Sequence, residues 1–268
     1  KPMAAADVIQ EFYSAAACAF GLDAAGGVME YLEERRDRHL DVGMHEGAAC
    51  MQSCLFDLMV GILRRDRIRP WDTRRVRARR RIIIRMETSA LGTGASVGKL
   101  GDKFLCMKGG IGSYAVRLGT EGRRNRCGES RGDIYDWKDG KKVAGLLNAD
   151  RKTFADTEEA VYKSYEVVKN KFTGATENTT IGAVITNAAF PKSSLCKIAG
   201  MAHDGYARAI RPVHTSSDGD SIYALSVGDV KADQDMVGTL GAQVMAEAIL
   251  RAVRSAESAY GLVGAKDL

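Results

Sequence analysis

With 268 residues, 45% hydrophobic and 27% charged, the chain has the composition of a globular protein, long enough to bury a full core in one domain or one compact pair of layers. The net charge of +5 is concentrated, because Arg64–Arg85 holds a large share of the arginines and the flanking segments are close to balanced. No run of about 18 apolar residues occurs, which argues against a membrane span, and no signal-peptide pattern opens the chain, so a cytoplasmic protein is expected. The six cysteines show no CxxC spacing, which favours reduced thiols over disulfides or a zinc site. The four histidines are scattered, so no metal site is expected, and His203 and His214 read as structural.

In chain order, Leu22, Ala25, Val28, Met29 and Leu32 recur at helical spacing, which predicts a helix over 20–34. Arg64–Arg85 has the charge of a nucleic-acid patch, but Trp71 is its one aromatic and it lies inside a folded chain. A basic nucleic-acid-binding protein is therefore the rival reading, and a steep salt dependence of DNA binding would mark it. Gly92-Thr93-Gly94 and Gly109-Gly110-Ile111-Gly112 read as tight glycine turns; the block ending at Lys99 lacks both the Ser/Thr and the preceding strand of a phosphate-binding loop. A strand is predicted over 114–118, a hairpin over 133–143 turning at Asp139-Gly140, and a helix over 157–171. An exposed linker follows over 173–177. Beyond it come a strand from Thr179, a helix capped by Ser194, a strand over 222–227 and a long helix over 236–260 stopping at Gly261. Helices on both outer sides of two stacked sheets would accommodate this order.

The stretch Glu177-Asn178-Thr179-Thr180-Ile181-Gly182-Ala183-Val184 passes from a polar pair straight into a strand pattern. A hydroxyl held at the mouth of a buried strand can attack the carbonyl before it. If Thr179 attacks Asn178, the chain breaks and Thr179 becomes an N-terminus, whose α-amine, with a pKa near ~7.7–8.0, can serve as base for its own hydroxyl. Taken alone, these residues fit an ordinary strand with a threonine at its mouth even better.

Longer blocks change that balance. AFGLDAAGGVMEYLEE (19–34), CLFDLMVG (54–61), GTGASVGK (92–99), CMKGGIGSYAVRLG (106–119), GDIYDWKDGKKVAGLL (132–147), ENTTIGAVITNA (177–188), MAHDGYARAIRPVHTSSDGDSIYALSVG (201–228) and VMAEAILRAVRSAES (244–258) occur in this order. Together they resemble the P1 family of self-processing aminopeptidases, peptidase family S58, which includes D-aminopeptidases, β-peptidyl aminopeptidases and nylon-oligomer hydrolases. The resemblance implies an αββα four-layer sandwich and cleavage of peptide or amide-oligomer substrates without a cofactor. It also implies a homo-oligomer, a tetramer of processed pairs, made of segments 1–178 and 179–268. Within it, Asn178 and Thr179 form the self-cleavage junction and Thr179 the nucleophile. Asp218 and Asp220 would contact the nucleophile and its amine, although such a triplet in isolation is more often a polar turn. Lys99 would favour deprotonation of Thr179, or is simply a solvated lysine; Lys108 is a weaker candidate for that role. No nucleic acid and no membrane are implied as partners. An acyltransferase on a similar fold would need an acceptor site that these residues do not reveal.

The resemblance lapses in a pattern. The family has a Gly-Gly-Ser turn where Ala15-Ala16-Ala17-Cys18 stand, and strands upstream of Lys1, so N-terminal strands are expected to be missing. Codons for Gly122–Glu129 read in a shifted frame can spell Val-Gly-Ala-Ile-Val-Ala-Val-Asn, a strand ending in the family's oxyanion-stabilising asparagine. His45–Met51, Trp71–Arg77 and Gln10–Ala17 become family-like in the same way. Paired compensating frameshifts are therefore expected in the gene or in its reading, and the nucleotide sequence decides the matter. The asparagine's place is held by Glu129 and Ser130, and losing one oxyanion donor costs about 10²–10³ in rate, so the chain as written is expected to process poorly or not at all.

Overall fold

A computed structural model of the chain describes residues 11–15, 24–34, 40–41, 46–47, 50–54, 94–100, 105–118, 121–122, 124–127, 132–164 and 178–268. Arg64–Arg85, His39, His45, Glu129, Ser130, the linker 173–177 and the shifted-frame segment 71–77 lie outside the described residues. The chain forms two compact units, Lys1–Ile84 and Arg85–Leu268.

In the first unit, strand β1 (Glu11–Ala15) leads into helix α1 (Ala24–Glu34), and short strands β2 (Leu40–Asp41) and β3 (Glu46–Gly47) precede β4 (Cys50–Cys54). β1 and β4 pair in parallel, the arrangement that a crossover helix permits, and α1 packs on both. Val28 and Leu32 of α1 are buried, as their helical spacing predicts, whereas Met29 is exposed.

The second unit opens with β5 (Ser96–Val97), β6 (Met107–Lys108), β7 (Gly112–Tyr114), β8 (Arg117–Leu118), β9 (Glu121–Gly122) and β10 (Arg124–Cys127). The predicted strand over 114–118 is thus two pieces, and β8 turns back on β9. Next come β11 (Asp133–Tyr135), β12 (Lys142–Ala144) and helix α2 (Thr157–Ser164). β11 and β12 form the predicted hairpin, with Gly140 at φ +74° in its turn, a backbone that a side chain disfavours. The helix predicted to run on to residue 171 is described only to Ser164.

The carboxyl-terminal third carries β13 (Ile181–Ala188), α3 (Lys192–Ala209), β14 (Ile210–Arg211), β15 (Ser221–Val230), α4 (Gln234–Arg254) and β16 (Val263–Gly264). Ser194 falls inside the first turn of α3, whose cap position is Pro191, so Ser194 is not the cap. α4 begins two residues earlier than predicted, because the Asp233 carboxylate accepts the Met236 N–H at 2.8 Å, and it ends at Arg254, well before Gly261.

The largest described sheet runs β15-β13-β10-β7, with β13 parallel to β15 and antiparallel to β10. α3 and α4 pack together, α3 also against β15 and α4 against β7 and β10, as in the α/β layering expected. The two helices approach closely at Gly205, where a Cβ would stand 2.4 Å from the Ala242 carbonyl oxygen. Tyr206, Met245, Ile198, Leu250 and Val184 fill the resulting core. By length and a mean hydropathy of 1.3, α4 matches what a membrane span would need, although no such span was expected from the sequence. Two-thirds of that window is buried inside the protein, as in a core helix.

One strand conflicts with its place. β10 is an inner strand, and its register sets Arg124, Asn125 and Arg126 opposite Ile185, Val184 and Ala183. Val184 and Ala183 are buried, so the fold calls for apolar β-branched residues where the sequence supplies arginines. A locally shifted reading frame would leave this mismatch behind.

A buried carboxylate ties the hairpin to α2. Asp133, with no exposed surface, accepts from the N–H groups of Leu146 and Thr157 at 2.8 Å each and from the Thr157 hydroxyl at 2.7 Å, and it pairs with Lys142. Removing it takes the carboxylate from a mostly buried lysine and orphans two buried amides and the Thr157 hydroxyl, so Asp133→Ala is expected to cost about 3–5 kcal/mol. Urea unfolding checks this, and a midpoint within error of the parent would refute it.

Candidate functional site

The ladder between β13 and β15 continues beyond the ends of both strands. The register that pairs Ile181 with Ser221 also pairs Asn178 with Asp218, and so sets Thr179 opposite Gly219 and Thr180 opposite Asp220. The Asn178 N–H donates to the Ser217 carbonyl at 3.0 Å, the Asn178 carbonyl accepts the Gly219 N–H at 2.7 Å, and the Thr180 carbonyl accepts the Ser221 N–H at 2.9 Å. The Asn178–Thr179 bond is therefore held in extended backbone against a loop, with its carbonyl oxygen already engaged by a donor.

Each member of the Asp218-Gly219-Asp220 triplet has a different task. Asp218 closes its own turn: its carboxylate accepts from Thr215 through the N–H at 2.8 Å and the hydroxyl at 2.6 Å. Asp220 reaches across the ladder, where Oδ1 accepts the Thr180 N–H at 2.9 Å. Among the described contacts neither carboxylate bonds to the Thr179 side chain. Asp220 instead grips the residue after the nucleophile candidate, and Asp218 shapes the loop that carries the Gly219 donor.

Gly219 is exposed, and a Cβ built on it would lie 2.9 Å from Thr179 Oγ1. The missing side chain is what leaves room for the half-buried threonine hydroxyl. Gly219→Ala should fold, because Thr179 can rotate about χ1, but the hydroxyl would be displaced. Any reaction at Thr179 is expected to slow about 10²-fold, the usual result of an ångström-scale misplacement. Equal rates with an unchanged circular dichroism spectrum would refute the crowding.

Lys99 follows the turn at Gly98 (φ +73°), whose N–H donates to the Gly132 carbonyl at 3.2 Å. Lys99 is half-buried there. Lys108 has no exposed surface, and its ammonium donates to the carbonyls of Ala95 and Gly109 at 2.8 Å each, a structural tie between β5 and β6.

Three features of the site are not legible in the sequence. The Tyr206 hydroxyl, from the buried face of α3, lies 3.2 Å from the carbonyls of both Thr180 and Ser221 and fixes the strand ends from behind. His214 and His203, which read from sequence as structural, line up behind Asp220. Among the described residues the buried Thr180 hydroxyl has no hydrogen-bond partner, at a cost of about 1–3 kcal/mol. No local pattern announces any of these, because each depends on pairing between distant segments. Among the described residues no group of three His, Cys, Asp or Glu gathers as a metal site.

Comparison with known proteins adds the following. The model of "Peptidase family S58" matches residues 15–266. An uncharacterized aminopeptidase of Mycobacterium leprae is 28% identical over 265 residues, covering 91% of this chain and 71% of its own. A 6-aminohexanoate-oligomer endohydrolase of Paenarthrobacter ureafaciens is 26% identical over 184 residues, 62% of this chain and 45% of its own. Among solved structures, the PH0078 protein of Pyrococcus horikoshii superposes with a TM-score of 0.53 at 17% identity, and this chain spans only 62% of its length while 87% of this chain is covered. The l-aminopeptidase d-ala-esterase/amidase of Ochrobactrum anthropi, described as a variant of the Ntn hydrolase fold, superposes with a TM-score of 0.54 at 15% identity, covering 92% of this chain and 67% of its own. The two superpositions establish the shared fold.

Proposed function

The chain belongs to peptidase family S58, and from that premise we propose that it is a self-processing amide hydrolase whose nucleophile is Thr179. The observation that carries this reading is the Asn178–Thr179 bond itself, clamped by the Gly219 N–H on the Asn178 carbonyl oxygen. Thr179 Oγ1 attacks the Asn178 carbonyl carbon, and negative charge develops on an oxygen that the Gly219 N–H already meets at 2.7 Å. Collapse breaks the C–N bond as the hydroxyl proton passes to the departing nitrogen, and leaves Asn178 esterified to the Thr179 oxygen with a free α-amine. Water hydrolyses the ester, giving a 1–178 segment with a new carboxylate and a 179–268 segment with an N-terminal threonine.

In the processed protein the Thr179 amine takes the proton from its own hydroxyl as it attacks a substrate amide, then passes that proton to the leaving amine. Asp220 holds Thr180 and thereby the position of Thr179, and Lys99 remains a candidate cation near the site. The substrates are peptides or amide oligomers, the chemistry named for the aminopeptidase and 6-aminohexanoate-oligomer relatives. Assembly of processed pairs into a homo-oligomer belongs to the same proposal. Intact mass of the purified protein tests processing directly: two fragments meeting at Asn178–Thr179 are expected, formed slowly, and a chain that stays whole indefinitely refutes it.

A further inference from the structure

The loop between β14 and β15 and the middle of α3 set two histidines in line with Asp220. His214 Nδ1 stands 2.9 Å from Asp220 Oδ2, and the His214 backbone N–H reaches the same oxygen at 3.3 Å. On its other side, His214 Nε2 is 3.2 Å from His203 Nδ1. With the Thr180 N–H on Asp220 Oδ1, an unbroken chain of hydrogen bonds runs from α3 to the residue beside Thr179. The rings pack as a unit: His203 and His214 are 4.8 Å apart and Tyr206 lies 5.3 Å and 5.8 Å from them. The Asp220 side chain is 5% exposed and that of His214 39%, so a nearly buried carboxylate is linked to solvent through an imidazole.

We propose that His214 is the positioning residue for Asp220, that His203 supports the Nδ1–H tautomer of His214 by donating to its Nε2, and that the pair thereby governs cleavage at Asn178–Thr179. This rests on Thr179 being the nucleophile. An ionised Asp220 can only accept, so His214 carries its proton on Nδ1. Its Nε2 then accepts, and a neutral His203 must donate from Nδ1. When the pair takes up a proton, His214 donates from both nitrogens and His203 becomes the acceptor, so two adjacent rings share one charge. Burial holds the pKa of His203 below the ordinary range, and the neighbouring His214 lowers it further, against the opposing pull of Asp220 and Asp204. Besides these, Tyr206 packs on both rings, while Asp218 in the same loop is turned to Thr215. Acid therefore places a cation against Asp220 and cancels its field at the junction, so cleavage should fall as the pair charges.

The test follows splitting of the full chain by intact mass from about pH 5 to about pH 8.5, the range over which histidines titrate. His214→Ala is expected to slow splitting about 10- to 100-fold, as loss of a positioning contact does. His214→Asn keeps an N–H donor where Nδ1 stood and cannot titrate, so it should restore most of the rate and flatten the acid fall-off. Imidazole nitrogen spectra, recorded on the uncut Thr179→Ala chain, should show His214 protonated at Nδ1, and adding His214→Asn should raise the titration midpoint of His203. A wild-type rate and pH profile in His214→Ala overturns the inference, as does a proton on Nε2 of His214 at neutral pH. If His214→Ala fails to fold, the His214→Asn rate and the spectra decide between the same outcomes. A wild-type chain that never splits sinks the Thr179 reading and this inference with it, whereas splitting that needs Thr179 but ignores His214 sinks this inference alone.

Discussion

Thr179→Ala is expected to leave the chain in one piece under every condition in which the parent divides, and to remove amide hydrolysis with it. In the mechanism proposed above the hydroxyl is the attacking atom in both steps, and removing a nucleophile from a working site can cost on the order of 10⁶ in kcat. Folding should be nearly untouched. Thr179 is half-buried, the contacts that hold its neighbours are made by Asn178, Thr180 and residues 217–221, and alanine accepts the same extended backbone. Thr179→Ser should retain a measurable share of both reactions, because the hydroxyl survives while the methyl that stiffens χ1 is lost. Two fragments from the alanine variant, seen by intact mass, or hydrolysis at the parental rate, would place the chemistry elsewhere.

Replacing Gly122–Glu129 by Val-Gly-Ala-Ile-Val-Ala-Val-Asn is expected to do the opposite. β10 sits between β13 and β7, so a continuously apolar strand satisfies the register that Arg124, Asn125 and Arg126 now occupy against Ile185, Val184 and Ala183. The same change supplies the asparagine whose counterpart stabilises the oxyanion in the family. Processing at Asn178–Thr179 should accelerate by about 10²–10³, the usual worth of one such donor. The thermal midpoint should also rise, since apolar β-branched residues suit an inner strand better than arginines do. Equal midpoints and equal processing rates would mean that the present residues suit the strand as they stand.

Much of the architecture was readable without coordinates. The helices starting near residues 24, 192 and 234 each bury an apolar stripe at a spacing that a sequence displays directly, whereas the helix from Thr157 leaves Ala160 and Val161 half-buried, and Asp139-Gly140 marks its hairpin by turn chemistry alone. Ends were less legible. Ser194 resembles a cap but lies within α3, and α4 stops at Arg254 although its apolar spacing runs further. The strand over 114–118 divides because β7 pairs with β10 while β8 turns back on β9, a choice made by partners outside the strand.

The sequence by itself determined the family and pointed to a candidate junction: a polar Asn178-Thr179 pair entering a strand, within blocks ordered as in one family, is information that adjacent residues carry. The tertiary structure alone decided what surrounds that junction. Strand pairing between segments about 40 residues apart set the side-chain-free Gly219 opposite Thr179, laid a backbone N–H on the Asn178 carbonyl, and turned Asp218 inward to its own loop while Asp220 reached across. Packing of α3 behind that ladder then brought His203 and Tyr206 to His214. Local periodicity reports which face of an element is apolar; it says nothing about which distant element will meet that face or in what register, and it is register that makes a reactive site from ordinary residues.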